Sequence, residues 1–225
     1  MTYYLGTTDN PVTLIINMKQ IYSWIVALVL GGTALLSACD EVSEPTAYDN
    51  WQERNEAFID SIRTLTGQVN AATIEQADQM PVGQLFSIYV PAASTNEEDC
   101  YIYCKKLRAV PEGRRPLYTE QVATFYYGTL INGTRFDGNF TGFPATYQGS
   151  INPDERLPQA TDSPTEFGVS QVISGWTSAL QLMRTGERWM LYIPHTCAYG
   201  TSGSGSIPGY SALTFDVELV AVTLD

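Results

Sequence analysis

VISGWTSALQLM, Val172 to Met183, is the one strongly helical stretch in a region otherwise rich in strands, and its reading decides the fold. Ile173, Trp176, Ala179, Leu180 and Met183 recur at intervals of three and four, so a helix over Ser174–Arg184 carries them on one apolar face. Thr185-Gly186 supplies a stop. Around this segment the apolar residues change to a period of two. LFSIYV, CYIYCKKLRAV and RWMLYI read as strands, and Leu213, Phe215, Val217 and Leu219 share one face of SALTFDVELVAV. VATFYYGTLINGTRFDG reads as two strands joined at Asn132-Gly133, a hairpin signal because both residues tolerate positive φ. Pro111 to Pro116 is a turn-rich link, and residues 138–163, rich in Gly, Pro, Asn and Gln, form a long insertion. Strands flanking a single helix predict an α+β domain over 84–225, an antiparallel β-sheet wrapped around one short α-helix. Valine, isoleucine and tryptophan at the first turn of that helix, where polar caps usually suffice, are either plain core or the floor of an apolar pocket.

Residues 51–83 form an N-terminal helical extension. In WQERNEAFIDSIRTL the residues Trp51, Phe58, Ile62 and Leu65 make an apolar stripe, which Asp49 or Asn50 caps and which docks on the following domain. Pro81-Val82-Gly83 breaks the pattern.

Upstream lies a segment that is not part of the fold. Ile21 to Ala38 is uncharged and mostly apolar, follows Met18-Lys19-Gln20, and ends in Leu36-Ser37-Ala38-Cys39. Short charged start, apolar middle and small-residue end are the anatomy of a secretion signal rather than of a retained membrane anchor. The stretch resembles bacterial lipoprotein signals, which implies a signal peptide over 18–38, cleavage before Cys39, and lipid on the Cys39 thiol and amino group. Residues 1–17 have no role in such a signal, so Met18 is the expected start. Residues 39–50, acidic and proline-containing, then form a solvated tether. The expected location is the bacterial cell envelope, lipid-anchored at the outer membrane on its periplasmic or its outward face, since several acyl chains anchor stably where one does not.

The formal net charge is −12. It survives removal of the signal, because the residues before Cys39 hold one acid, Asp9, and one base, Lys19. Such a surface repels phosphate, and no basic tract is present, which excludes nucleic acid as a partner. Cys100, Cys104 and Cys197 remain after Cys39. Cys100 and Cys104, four apart on an extended chain, are separated by roughly 13 Å and do not reach each other. A bridge from one of them to Cys197 and buried thiols both stay open. His195 is the single histidine and no C-x-x-C occurs, so no metal is expected. There is no G-x-S-x-G elbow, and GTSGSG lacks the lysine and helix of a phosphate loop, so no hydrolase and no cofactor are expected.

The ordered blocks Tyr126-Tyr127-Gly128-Thr129-Leu130, Gly133, Phe136-Asp137, Val172-Ile173-Ser174-Gly175-Trp176, Met183, Gly186, Ile193-Pro194, Ala198-Tyr199-Gly200, Ile207-Pro208 and Leu213 to Leu219 resemble the FKBP family of peptidyl-prolyl cis-trans isomerases over roughly 99–224. The helical region before them is similar, more weakly, to the N-terminal extension of bacterial FKBP lipoproteins. The resemblance implies an enzyme acting on proline-containing polypeptides, with macrolide immunosuppressants as further ligands. It implies Trp176 as the pocket floor, and Tyr126, Phe136, Val172, Ile173 and Phe215 as walls. Asp137 and Tyr199 become polar groups at the rim, the Ile173 N–H and the Tyr199 hydroxyl hydrogen-bond the ligand, and the Ile207 loop closes over it. Thr165 takes the position of an aromatic lip in many members. Asp137 either stabilises the twisted amide electrostatically or merely orders Tyr126. The insertion 138–163 is either a surface excursion or a substrate-contacting loop, and the small residues of GTSGSGSIPG (200–209) are expected to leave the flap mobile. A binding module or chaperone of the same fold with little isomerase activity is the competing reading. The presence of Tyr126, Asp137, Trp176 and Phe215 favours the enzyme.

Overall fold

The computed structural model describes residues 46–93, 99–144 and 156–223. The signal peptide 18–38, the lipidation residue Cys39, most of the tether and the middle of the insertion lie outside them.

The helices are α1 (Trp51–Thr66), α2 (Ile74–Gln79) and α3 (Ser174–Leu180). The strands are β1 (Leu85–Tyr89), β2 (Tyr101–Arg108), β3 (Gln121–Leu130), β4 (Arg135–Gly138), β5 (Thr165–Gly168), β6 (Arg188–Ile193) and β7 (Leu213–Thr223). They form one antiparallel sheet of seven strands in the order β1-β2-β6-β7-β3-β4, with β5 also on β3. β3 pairs with β7 along its length. On its other edge β4 takes Tyr127–Thr129 and β5 takes Gln121–Thr124, end to end. Asn139 splices the join between them. Its backbone and side chain accept and donate as a strand residue would: Tyr126 N–H to Asn139 Oδ1 at 2.8 Å, Asn139 N–H to Tyr126 O at 3.0 Å, and Asn139 Nδ2 to Thr124 O at 2.9 Å. The free edge of β1 is covered at Ser87, which exchanges hydrogen bonds with Val69 O and the Ala71 N–H.

Alternation splits the side chains between two faces. On one face Phe86, Ile102, Leu191, Ile193, Leu213, Val217 and Leu219 pack against Trp176, Ala179, Leu180 and Met183 of the α3 region. Gly175 is what lets α3 sit so close, since a Cβ there would lie 2.7 Å from Ile193 Cγ2. On the opposite face Tyr103, Leu107, Met190 and Tyr192 pack against Ile62, Phe58 and Ile59 of α1 and against Phe143 of the insertion. The sheet therefore carries a helix on each side, and residues 47–225 form a single compact unit.

Three expectations are corrected. α3 ends at Leu180, not Arg184: Leu182 N–H turns back to Ala179 O, and Gly186 donates to Leu219 O, so Thr185-Gly186 starts the approach to β6. In α1, Leu65 is 63% exposed, whereas Asn55 and Thr66 are buried. Asn55 earns that place by donating to Trp51 O at 2.6 Å and accepting the Ala212 N–H at 2.8 Å. Asn50 does occupy the N-cap, but in a left-handed conformation and without a side-chain cap bond. α2 is a second helix within 51–83, and Thr73-Ile74-Glu75-Gln76 starts it with a reciprocal capping box.

Candidate active site

Tyr126 comes from the middle of β3, Phe136 and Asp137 from β4, Phe167 from β5, Trp176 from the first turn of α3 and Phe215 from β7. The helix delivers Trp176 against the sheet at 3% exposure. Its indole meets three rings edge-on, Phe215 at 5.2 Å, Tyr126 at 5.6 Å and Phe167 at 5.8 Å between centroids. Phe136 stands perpendicular to Phe215 at 5.4 Å, and Tyr126 meets Phe167 at 5.5 Å. Positive ring edges against negative faces hold such a cluster in shape, and these rings are the walls of the candidate bowl. Gly128 is required inside it: a Cβ there would lie 2.7 Å from Phe136 and 2.8 Å from Phe215.

Strand alternation should send neighbours Phe136 and Asp137 to opposite faces. A bulge prevents this. Gly128 pairs with Asp137 and Thr129 with Arg135, so Phe136 is an extra residue in the ladder. The bend lets Phe136 stack on Phe215 while the Asp137 carboxylate stands close enough to the Tyr126 hydroxyl to act on it. Burial, and next the Asp137 carboxylate, push the Tyr126 phenol up to about 12, so it remains a hydrogen-bond donor throughout the physiological range. The carboxylate is exposed and accepts the Gly138 N–H at 2.7 Å.

Val172 and Ile173 are half-buried and pack against the same core. Ile173 is the N-cap of α3, and the amides at such a terminus have no partner within their helix. Tyr199 is 41% exposed, close enough to Tyr126 for its hydroxyl to act on that phenol. The loop beyond it carries its own backbone hydrogen bonds. Gly203 donates to Tyr199 O, Ser204 and Ile207 exchange two hydrogen bonds of 2.9 Å, and Tyr210 donates to Gly200 O. Ile207 is buried in the core cluster.

Thr165 lies apart from the rings. It pairs with Thr124, and its hydroxyl accepts from Asn139 Nδ2 at 3.0 Å. Phe167, two residues on, supplies the aromatic wall instead. The alternation in Thr165-Glu166-Phe167 was the available signal, but only the register on β3 shows which residue reaches Trp176.

The insertion's two described arms leave the bowl untouched. They fold onto the opposite face, where Arg188 and Asp216 form a fully buried pair with hydrogen bonds of 2.7 and 2.5 Å. Phe143 N–H reaches Asp216 Oδ2 at 2.9 Å, and Arg188 also donates to Arg156 O at 2.8 Å. Phe140 and Phe143 cover the guanidinium at 5.2 and 5.1 Å. Burial pushes the Asp216 carboxyl up, opposed by the two bonds from Arg188.

Residues 113–220 match the family of FKBP-type peptidyl-prolyl cis-trans isomerases. The chain is 41% identical over 110 residues to the macrophage infectivity potentiator of Trypanosoma cruzi, covering 48% of this chain and 46% of that protein. It is 40% identical over 112 residues to the FKBP-type 22 kDa peptidyl-prolyl cis-trans isomerase of Escherichia coli K12, covering 49% and 45%. The chain thus spans less than half the length of these curated relatives. A crystal structure of a peptidyl-prolyl cis-trans isomerase from Pseudomonas syringae aligns with a TM-score of 0.44 and 28% identity, over 76% of this chain and 96% of that one.

Proposed function

We propose, from the FKBP-type domain that residues 113–220 form, that this protein is a peptidyl-prolyl cis-trans isomerase of exported polypeptides. The observation that carries the proposal is the bowl itself: Tyr126, Phe167 and Phe215 edge-on to a buried Trp176, with the Asp137 carboxylate beside the Tyr126 hydroxyl at its rim.

The chemistry suits those residue types. A peptide bond resists rotation by about 18–20 kcal/mol because of amide resonance, and a prolyl bond exchanges over tens to hundreds of seconds unaided. Rotation breaks no covalent bond, so it calls for neither a nucleophile nor a proton transfer. It calls for a site that binds the twisted amide better than either planar form. In our reading the prolyl ring rests on Trp176 between Tyr126 and Phe215. The Ile173 N–H and the Tyr199 hydroxyl bond the flanking carbonyls. Asp137, through Tyr126, fixes the wall against which the carbonyl turns and places a negative charge beside it. The bowl is also the proposed seat for a macrolide.

The sequence around Leu36-Ser37-Ala38-Cys39 extends the proposal to location: a lipid on Cys39 holds the domain at the bacterial envelope by an acidic tether. One relative, 38% identical over 112 residues, is an outer membrane protein of Legionella longbeachae, which supports an envelope site. Acceleration of cis-trans exchange on a prolyl peptide, followed by NMR exchange or a protease-coupled assay, tests the function. A purified chain that binds the peptide without accelerating its exchange would make it a binding module instead. Radiolabelled fatty acid incorporated into the wild type but not into Cys39→Ser tests the anchor.

A further inference from the structure

Cys100, Cys104 and Cys197 are all buried, and none is in a disulfide. Two of them are brought together by the sheet. β2 runs antiparallel to β6 with Tyr103 opposite Tyr192, so the same register carried back sets Cys100 level with His195. There β6 gives way to the 3-10 turn His195–Cys197, which curls back over the start of β2. Cys100 Sγ lies 3.0 Å from Oγ1 of Thr196, the residue just before Cys197 in the chain, and Cys100 is near enough to raise the Cys197 thiol.

The two thiols differ in access. Cys100 lines a cleft of about 790 Å³ between α1 and the starts of β2 and the 194–196 turn, along with Tyr101, His195 and Tyr210. Cys197 sits wholly inside, its thiol pushed up by burial and by Cys100. Cys100 is thus the thiol on the cleft side and Cys197 the one behind it. Cys104 is buried deeper along β2, with its thiol held well up by desolvation.

We propose that Cys100 and Cys197 form a disulfide bond when the chain meets an oxidising compartment. The Cys100 thiolate attacks one sulfur of an external disulfide, such as glutathione disulfide, and expels one thiolate, which takes up the proton that Cys100 lost. The Cys197 thiolate then displaces the second external thiolate from the mixed disulfide, again with one proton passing across. Two protein S–H bonds are lost, one S–S bond is formed, and the external disulfide leaves as two thiols, reduced by two electrons. The bond closes a loop on the order of 100 residues, long enough to restrict the unfolded chain strongly. It also pins the turn that leads into Ala198-Tyr199, so the rim of the bowl is fastened to β2. Exported chains are where such bonds persist.

Incubation of the full chain with glutathione disulfide, alkylation of the remaining thiols and non-reducing peptide mapping tests this. The expected result is a Cys100–Cys197 linked peptide with Cys104 alkylated, and a higher thermal midpoint that reverts with dithiothreitol and is missing in Cys100→Ser. A stable glutathione adduct at Cys100 alone, a bond to Cys104, or a linked protein with an unchanged midpoint would overturn the proposal. The readout is a covalent bond, so failure of the isomerase reading leaves it unaffected.

Discussion

Replacing Trp176 with phenylalanine separates what the indole does by size from what it does by shape. The indole is 3% exposed, with aromatic neighbours on three sides, so Trp176→Ala belongs to the range of about 3–5 kcal/mol for large-to-small core changes. Its Nε1 is buried and has no hydrogen-bond partner among the described residues. An unpaired buried donor costs about 1–3 kcal/mol. Phenylalanine deletes that donor and roughly two carbons, whose burial is worth about 1.6 kcal/mol at 0.8 per group. The two effects have opposite signs and similar size, so Trp176→Phe should lie within about 1 kcal/mol of wild type while the alanine variant loses several. Urea unfolding with unchanged m-values measures both. In the prolyl exchange assay the phenylalanine variant should keep most of its kcat/KM, and the alanine variant should lose more than about tenfold. Equal losses of stability in the two variants would refute the reasoning, because they would mean that the indole N–H is satisfied in solution and contributes to the fold.

Asp137→Ala removes an exposed side chain, so stability should change by no more than about 0.5 kcal/mol. The Tyr126 hydroxyl then loses the carboxylate beside it, and turnover should fall about tenfold, the equivalent of 1.4 kcal/mol; unchanged turnover removes Asp137 from the mechanism. Asp216→Asn leaves the Arg188 guanidinium buried without its counter-charge and should cost about 3–5 kcal/mol, with new protease cleavage inside 139–163; a loss under about 1 kcal/mol by denaturant titration contradicts the view of Arg188 and Asp216 as a clasp on the insertion's described arms. Burial pushes the phenols of Tyr126 and Tyr192 up to about 12 in the folded chain, against an ordinary value of about 10. Between those values the folded chain keeps protons that the unfolded chain has released, so stability falls as pH rises from about 10 to 12. Phenolate absorbance should show late-titrating tyrosines, one lost in Tyr126→Phe and one in Tyr192→Phe, whereas release of every tyrosine together near pH 10 in a still-folded protein counts against it.

Local rules reached most of the fold. The period of two in Leu213 to Leu219, the Asn132-Gly133 turn and the α3 face around Trp176 all appear where sequence placed them, because each is set by neighbours in the chain. What was not legible depends on partners far away. Asn55 is buried because Ala212 lies above it, so an apolar stripe that counted Leu65 pointed to the wrong side of α1. Phe167 is in the bowl and Thr165 is not, since the pairing of β5 with β3 decides how far each reaches. Phe136 and Asp137 share one site through a bulge that no composition rule announces.

The same pairing explains how a long insertion coexists with an intact bowl. Phe215 and Asp216 are consecutive, and alternation sends one to each face: the ring to Trp176, the carboxylate to Arg188 under the insertion's arms. A one-residue slip of β7 would exchange them, putting a charge in the bowl and a ring on the clasp. The register is therefore held from both sides, by aromatic packing on one face and a buried ion pair on the other. Asn139 closes the arrangement at the edge, because it completes β3 where β4 stops and starts the chain toward the far face. Asn139, Phe140, Phe143 and the Arg188–Asp216 pair thus keep the base of the insertion's described arms on the face away from Trp176.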